Sequence, residues 1–202
     1  MIAIVDYGAG NIFSVKNALD FLGVESVLTA DRKEIEASDA IILPGVGAFP
    51  WAMSELKKSG LVETLRYEAG KKPFLGICLG MQLLFDKGYE FEECDGLSLI
   101  PGEVGKMKAP GLVIPHMGWN KLEKGISCPL LNGLSGDDYV YFVHSYKAVV
   151  DDKYLAAWCD YGGKVPALVY NGEYVYGAQF HPEKSGKVGL KILQNFADIA
   201  EV

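Results

Sequence analysis

Cysteine and histidine are scarce in this chain, and their spacing does not match a metal site. The 202 residues include four cysteines (Cys78, Cys94, Cys128 and Cys159) and three histidines (His116, His144 and His181). No two cysteines form a CxxC pair, and the histidines lack the spacing of ligands on one helix. We therefore expect reduced thiols and no bound metal.

Positive charge is also in deficit, with 19 Lys and Arg against 26 Asp and Glu and a net charge of −7. Proteins that bind nucleic acid owe much of their affinity to basic side chains, so this class is disfavoured. No apolar run approaches the roughly 18–20 residues that cross a bilayer. The first residues reach Asp6 after a short apolar run, unlike a signal peptide. We expect a cytoplasmic protein with no nucleic-acid or membrane partner.

Apolar residues are abundant, at 50% of the chain, which is enough to bury a core without disulfides. The length predicts one domain over residues 1–202. In the first half, short apolar runs alternate with amphipathic segments, a pattern typical of parallel strands covered by helices. The predicted strands cover residues 2–5, 26–28, 40–43 and 73–77, and the predicted helices cover residues 12–22, 34–37 and 51–69.

The second half has shorter strand-like runs separated by turns such as Asn171-Gly172. The predicted strands cover residues 104–107, 139–143, 146–149, 155–158, 167–170 and 174–177, before a final helix over 185–199. The fold class is therefore α/β, with a single doubly wound, mixed and mostly parallel sheet and flanking helices. Ligands of such sheets bind beyond the carboxyl ends of the strands.

Gly8-Ala9-Gly10 follows the first predicted strand and superficially matches a dinucleotide-binding turn. That motif needs a small residue three positions after the second glycine, where this chain has Phe13. We interpret the segment as a tight strand-to-helix turn and expect no cofactor.

The strongest local motif is Gly76-Ile77-Cys78-Leu79-Gly80, between an apolar strand and a helical pattern over residues 81–85. It is the thiol counterpart of the G-x-S-x-G nucleophile elbow, in which glycines permit a sharp turn. The helix that follows favours the reactive thiolate. The alternative is a buried structural cysteine, which is our interpretation of Cys94, Cys128 and Cys159.

A nucleophilic cysteine needs a base and a group that orients the base. His181 follows a strand-like run, and Pro182 biases it toward an extended backbone. Glu183 is then able to fold back onto one ring nitrogen. Taken alone, a histidine at a strand end beside a solvated glutamate fits as well, but the Cys78 motif favours catalysis.

An acyl-transfer site also needs backbone N–H groups that form an oxyanion hole. The elbow offers the N–H of Leu79, and the loop with Gly45 and Val46 follows the neighbouring strand. The alternative for that loop is an ordinary Pro-Gly turn, which its spacing alone favours.

Three stretches together resemble the signatures of triad (class I) glutamine amidotransferases: residues 43–47, 76–82 and 179–183. The resemblance covers essentially the whole chain. It implies that Cys78 attacks the side-chain amide of L-glutamine, that His181 transfers protons and that Glu183 holds the imidazole. It also implies a glutamine site formed by Gly47, Gln82, Glu90, Ser145 and Tyr146. For Glu90, a solvated acidic surface remains the alternative.

Residues 6–11, 115–120 and 141–146 resemble the histidine-biosynthesis branch of this family. That resemblance implies a (β/α)₈-barrel cyclase subunit as partner, which receives ammonia in a heterodimer. The interface residues implied are Asn11, Met117, Trp119, Asn120 and Lys184. Since Met117 and Trp119 alternate like one face of a strand, the alternative is that Trp119 belongs to the core.

Three other functions compete with this one. A related amidotransferase subunit has the same chemistry but supplies another synthase, such as a sugar-amidating enzyme. A non-catalytic binding or redox-sensing domain shares the elbow without its reactivity. A cysteine peptidase is the third, and Gln82 and the His-Pro-Glu sequence argue against it.

Overall fold

The computed structural model describes residues 1–8 and 10–202. The elements of the first half are β1 (Ile2–Val5), α1 (Ile12–Phe21), β2 (Ser26–Thr29), α2 (Arg32–Ala37), β3 (Ala40–Gly45), α3 (Phe49–Lys58), α4 (Val62–Glu68), β4 (Phe74–Cys78), α5 (Leu79–Gln82), β5 (Lys87–Gly88) and β6 (Cys94–Asp95). Those of the second half are β7 (Glu103–Lys106), β8 (His116–Lys121), β9 (Glu123–Lys124), β10 (Tyr139–His144), β11 (Tyr146–Val149), β12 (Leu155–Asp160), β13 (Lys164–Tyr170), β14 (Val175–Ala178) and α6 (Gly186–Ile199).

An eight-stranded sheet forms the centre of the fold, in the order β2-β1-β3-β4-β14-β13-β12-β9. The strands from β2 to β14 pair in parallel, and those from β14 to β9 pair antiparallel. The predicted α/β class with a large, mostly parallel, mixed sheet is confirmed. Two smaller sheets, β10-β8 and β11-β7-β5-β6, accompany it.

The central strands are apolar without interruption because both faces of the sheet are covered. Ile2 and Ile4 of β1 belong to one hydrophobic cluster, together with residues of α1 and α6. Ala3 and Val5 belong to the other cluster, together with residues of α3 and α4. The alternation of side chains along a strand thus builds two cores, and each core holds the sheet against a helical layer.

The helix predicted over residues 51–69 is wrong as one element, because the structure has two helices there. α3 ends at Lys58, and Gly60 adopts a φ of +72° before α4 begins. A left-handed residue after a helix ends it and redirects the chain, and glycine adopts that conformation at little cost. The helical pattern over residues 81–85 is likewise shorter, because α5 ends at Gln82.

Residue 9, in the middle of the predicted Gly8-Ala9-Gly10 turn, lies outside the described residues. All four cysteines carry free thiols. Within residues 1–8 and 10–202, no helix is long and apolar enough to span a membrane. The same residues contain no cluster of three or more His, Cys, Asp or Glu side chains suited to a metal ion.

Candidate active site

Cys78 occupies a sharp turn between β4 and α5. Its φ of +55° and ψ of −110° are strained for a residue with a side chain. Neighbouring backbone enforces this turn, since a Cβ on Gly80 would lie 1.8 Å from the carbonyl oxygen of Leu43. A Cβ on Gly76 would lie 2.6 Å from the carbonyl oxygen of Gly80. The glycines therefore permit a close approach of backbones that holds the thiol at the carboxyl end of the sheet.

His181 and Glu183 lie in the turn that follows β14, next to β4. The Nδ1 atom of His181 is 2.8 Å from Oε1 of Glu183, and both side chains are almost completely buried. The backbone N–H of His181 donates to the carbonyl oxygen of Tyr141, and the Ser185 hydroxyl donates to the carbonyl oxygen of His181. These contacts fix the position of the imidazole ring before any substrate binds.

Competing effects set the pKa of His181. Burial lowers the pKa of His181, but Cys78 and Glu183 together more than offset burial and raise it to about 9. Among the described residues, Nε2 of His181 has no hydrogen-bond partner. Nε2 therefore remains available to exchange a proton with the nearby Cys78, whose proximity favours the charged ring.

A cavity of about 430 Å³ opens directly over Cys78 and His181. Its size is typical of a site for a small metabolite. All five residues predicted to surround the substrate line this cavity: Gly47, Gln82, Glu90, Ser145 and Tyr146. Together with Cys78 and His181, these residues come from five separate stretches of the sequence.

Glu90 is half-buried at the wall of this cavity. Its Oε2 accepts a hydrogen bond of 2.9 Å from the backbone N–H of Phe49, at the first turn of α3. A carboxylate that is held in this way and still faces the cavity provides a negative charge for a cationic group of a ligand.

The end of β3, which includes Pro44 and Gly45, and the loop after it lie beside the elbow. Val46 and Leu79 line the cavity, whereas Gly45 lines a narrow crevice on the other side of His181. A Cβ on Gly45 would lie 2.8 Å from the hydroxyl of Tyr7, which donates to the carbonyl oxygen of Pro44. The end of β3 therefore packs tightly against Tyr7 and against Leu79 and Gly80 of the elbow.

Sequence reasoning missed Gln179, although it lies in the same motif as His181. This side chain is fully buried, and its amide nitrogen is 3.9 Å from the Sγ atom of Cys78. Its Oε1 accepts a 3.0 Å hydrogen bond from Gln82. The position of Gln179, two residues before His181 on a strand-end motif, was the signal in the sequence.

Tyr7 is a second residue that the sequence did not single out. Burial and the proximity of Cys78 raise its pKa above the ordinary value, so the hydroxyl remains a neutral donor to Pro44. Among the other cysteines, burial raises the pKa of both Cys128 and Cys159 to about 12. Such thiols are unreactive.

Of the residues predicted at a partner interface, Met117 and Trp119 share one face of β8, whereas the Asn120 side chain lies on the opposite face and contacts His116. Met117 and Trp119 are 60% and 56% exposed on β8, so the alternative that Trp119 belongs to the core is wrong. The Trp119 ring approaches Gly186, just after the His181–Ser185 turn that carries the exposed Lys184. Asn120 is half-buried, and Asn11 lines the crevice that also contains Glu183.

Comparison with solved structures establishes the fold. A structure described as a glutamine amidotransferase matches all of this chain and all of its own chain, with a TM-score of 0.78 at 22% identity. The structure of PurLQS from Thermotoga maritima matches 98% of this chain and 97% of its own, with a TM-score of 0.77 at 21% identity.

Comparison of sequences establishes the family. The chain is 53% identical to the imidazole glycerol phosphate synthase subunit HisH of Bacillus cereus (strain ATCC 14579), over 100% of this chain and 96% of the relative. It is equally similar to the subunit of the same name from Bacillus thuringiensis (strain Al Hakam), with the same coverage. The family model described as glutamine amidotransferase class-I matches residues 3–200. The chain therefore belongs to the class-I glutamine amidotransferase family.

Proposed function

We propose that this chain is the glutaminase subunit of an imidazole glycerol phosphate synthase and hydrolyses L-glutamine to glutamate and ammonia. The observation that carries the proposal is the position of Cys78 and His181 in a cavity of about 430 Å³, with Glu183 in contact with Nδ1 of His181. The full-length identity of 53% to HisH subunits supports the assignment to this synthase. The proposed unit is one domain over residues 1–202.

In the first step, the Cys78 sulfur attacks the carbon of the glutamine side-chain amide. The raised pKa of His181 favours an imidazolium beside a thiolate, so the nucleophile is ready when substrate binds. The imidazolium then gives its proton to the departing nitrogen, which leaves as ammonia, and a γ-glutamyl thioester remains on Cys78. Glu183 keeps Nδ1 protonated and stabilises the charged ring.

In the second step, water replaces ammonia. His181 takes a proton from water at Nε2, the hydroxide attacks the thioester, and the thiolate leaves as glutamate forms. Both tetrahedral intermediates carry an oxyanion. We assign its stabilisation to backbone N–H groups of Leu79 and of the Gly45–Val46 loop, which packs against the elbow.

Recognition of glutamine needs protein groups that bind its α-ammonium group as well as groups that bind the rest of the molecule. The Glu90 carboxylate is suited to the α-ammonium group, and its contact with Phe49 fixes its position. Gly47, Gln82, Ser145 and Tyr146 complete the proposed glutamine site, because they line the same cavity.

Ammonia that escapes to bulk water is protonated and lost as a nucleophile, so the proposed reaction needs a direct acceptor. We assign the acceptor chemistry to a (β/α)₈-barrel cyclase subunit, and we propose that its contact region includes Asn11, Met117, Trp119, Asn120 and Lys184. Exposed tryptophan and methionine side chains are enriched at protein interfaces, which supports this choice. We place the complex in the cytoplasm, where four free thiols persist.

Substitution of the nucleophile tests the proposal. Cys78→Ala should reduce glutamine hydrolysis to background, measured as glutamate formation by the chain mixed with a cyclase subunit and its ligand. Because the change only shortens a side chain, the far-ultraviolet circular dichroism spectrum should remain that of wild type.

Cys94→Ala is the matched control, since Cys94 is a half-buried thiol outside the cavity, and it should retain wild-type activity. Hydrolysis by the Cys78→Ala protein at the wild-type rate would refute the triad. A second outcome concerns the acceptor. If wild type hydrolyses glutamine but the histidine-pathway cyclase forms none of its glutamine-dependent product, a related amidotransferase with another acceptor is favoured.

A further inference from the structure

A chain of hydrogen bonds joins β8 to the wall of the glutamine cavity, and neither histidine in it has a role in the proposed mechanism. The amide nitrogen of Asn120 is 3.4 Å from Nε2 of His116, and Nδ1 of His116 is 3.0 Å from Nε2 of His144. Nδ1 of His144 is in turn 2.8 Å from the carbonyl oxygen of Tyr146.

The direction of every bond in this chain follows from its two ends. The Tyr146 carbonyl only accepts, so Nδ1 of His144 carries a proton and donates it. At the other end, Oδ1 of Asn120 accepts from the backbone N–H of Lys121, which fixes the amide nitrogen as the donor. One of its N–H groups donates to the carbonyl oxygen of Asp160 at 2.9 Å, and the other is directed at His116. A donor at that point requires an acceptor at Nε2 of His116.

Only one pair of tautomers satisfies both ends. Each ring must be neutral, with the proton on Nδ1 and an acceptor at Nε2, because each Nε2 receives a hydrogen bond from the preceding group. Protonation of His144 would place two donors between the histidines and break the chain. In free neutral histidine the proton is not required to be on Nδ1, so the hydrogen bonds of this site select the tautomers.

The surroundings keep both rings neutral. His116 is sandwiched between Phe142 and Tyr161, with ring centroids 4.6 and 4.0 Å away. Burial lowers the pKa of His116 to about 4. Burial also lowers the pKa of His144 to about 4, which outweighs the opposite effect of its hydrogen bond to Tyr146.

The far end of the chain reaches the groups around the nucleophile. The Tyr146 carbonyl also accepts a 3.0 Å hydrogen bond from Gln82, which contacts Gln179 beside Cys78. Ser145 and Tyr146 line the cavity where β10 ends and β11 begins. His144 lines the same cavity and His116 lies behind it, so the histidine pair supports this stretch of wall.

We propose that His116 and His144 are positioning residues, which act as a one-directional pair of neutral hydrogen-bond donors and hold the Ser145–Tyr146 wall in its glutamine-binding form. The inference rests on the proposed glutaminase function and extends it, since neither ring touches a reacting atom. The consequence is that glutamine affinity depends on a hydrogen bond made behind the site.

The tautomers give a test that does not depend on activity. In long-range ¹H–¹⁵N correlation spectra of the full chain labelled with ¹⁵N-histidine, at pH 7, both rings should appear neutral with the proton on Nδ1. Assignment is made with His116→Phe, which removes one set of signals. Spectra in which either ring carries its proton on Nε2 or is protonated would overturn the proposal.

Kinetics separate the hydrogen bond from packing. His116→Phe keeps an aromatic ring between Phe142 and Tyr161 but removes the donor to His144. We expect it to raise KM for glutamine about tenfold and to change kcat less than twofold. His116→Asn retains an N–H near the position of Nδ1 but loses the aromatic stacking, and it should bring KM back to within about threefold of wild type.

Failure of the inference is distinct from failure of the proposed function. If wild type hydrolyses glutamine and His116→Phe has the wild-type KM, or if the Asn variant is as impaired as the Phe variant, the positioning role is wrong. If wild type with a cyclase subunit and its ligand hydrolyses no glutamine, the proposed function is wrong, and the spectra still decide whether the histidine chain exists.

Discussion

At the scale of single residues, the unusual feature is the buried pair of His181 and Glu183. One carboxylate oxygen contacts Nδ1, and this buried charge helps raise the pKa of the ring to about 9. Because His181 must supply a proton to departing ammonia, kcat/KM of wild type should decline as pH rises through about 9. Glu183→Gln removes the charge, so the decline should move to lower pH and kcat should fall at least tenfold.

The measurement is a pH–rate profile of glutamate formation for both proteins. Glu173→Gln, which changes an exposed glutamate in the loop between β13 and β14, should leave the profile unchanged. If kcat/KM declines at the same pH in wild type and in Glu183→Gln, the role assigned to this carboxylate is contradicted.

At the scale of elements, the turn from β4 to α5 depends on the contact of Gly80 with the end of β3. Gly80→Ala should destabilise the protein by about 3 kcal/mol or more, because its Cβ would need the space of the Leu43 carbonyl oxygen, 1.8 Å away. Urea unfolding, followed by circular dichroism, measures this change.

Gly105→Ala is the matched control for that substitution. Gly105 lies in β7 with no heavy atom within 4 Å of the position of a new Cβ. Its unfolding free energy should change by no more than about 0.5 kcal/mol. Equal stabilities for the two variants would contradict the argument that close packing of β3 against the elbow shapes the site.

At the scale of the whole molecule, the feature that needs a partner is the exposed pair Met117 and Trp119. Trp119→Ala should weaken binding to the cyclase subunit about tenfold or more, because a tryptophan at the centre of an interface often contributes about 2 kcal/mol. Isothermal titration calorimetry measures the Kd. Without the partner, we expect the chain to hydrolyse glutamine poorly until the Pro44–Gly47 loop rearranges.

Tyr67→Ala is the control for this measurement, since Tyr67 is an exposed aromatic residue of α4 on the opposite helical layer. It should bind like wild type. Unchanged affinity of Trp119→Ala, or full glutaminase activity of the chain alone, would count against the proposed dependence on a partner.

Much of the fold was predictable because its signals are local. β1 was predicted at its observed bounds, and the Asn171-Gly172 turn joins β13 to β14 as expected. β8 was missed because its six residues include Gly118 and polar side chains, and its strand character depends on pairing with β10. The break between α3 and α4 was missed because the amphipathic pattern continues on both sides of Gly60, where the chain turns.

The sequence by itself determined which groups are present for chemistry, since the motifs around Cys78 and His181 depend on residue types at short spacing. Only the tertiary structure decided what surrounds those groups. Gln179 meets Cys78 across 101 positions of the chain, and His116 meets His144 across 28. Burial and such long-range contacts set proton positions, charge and exposure. For this reason the neutrality of both histidines and the exposure of Trp119 became visible only in the folded molecule.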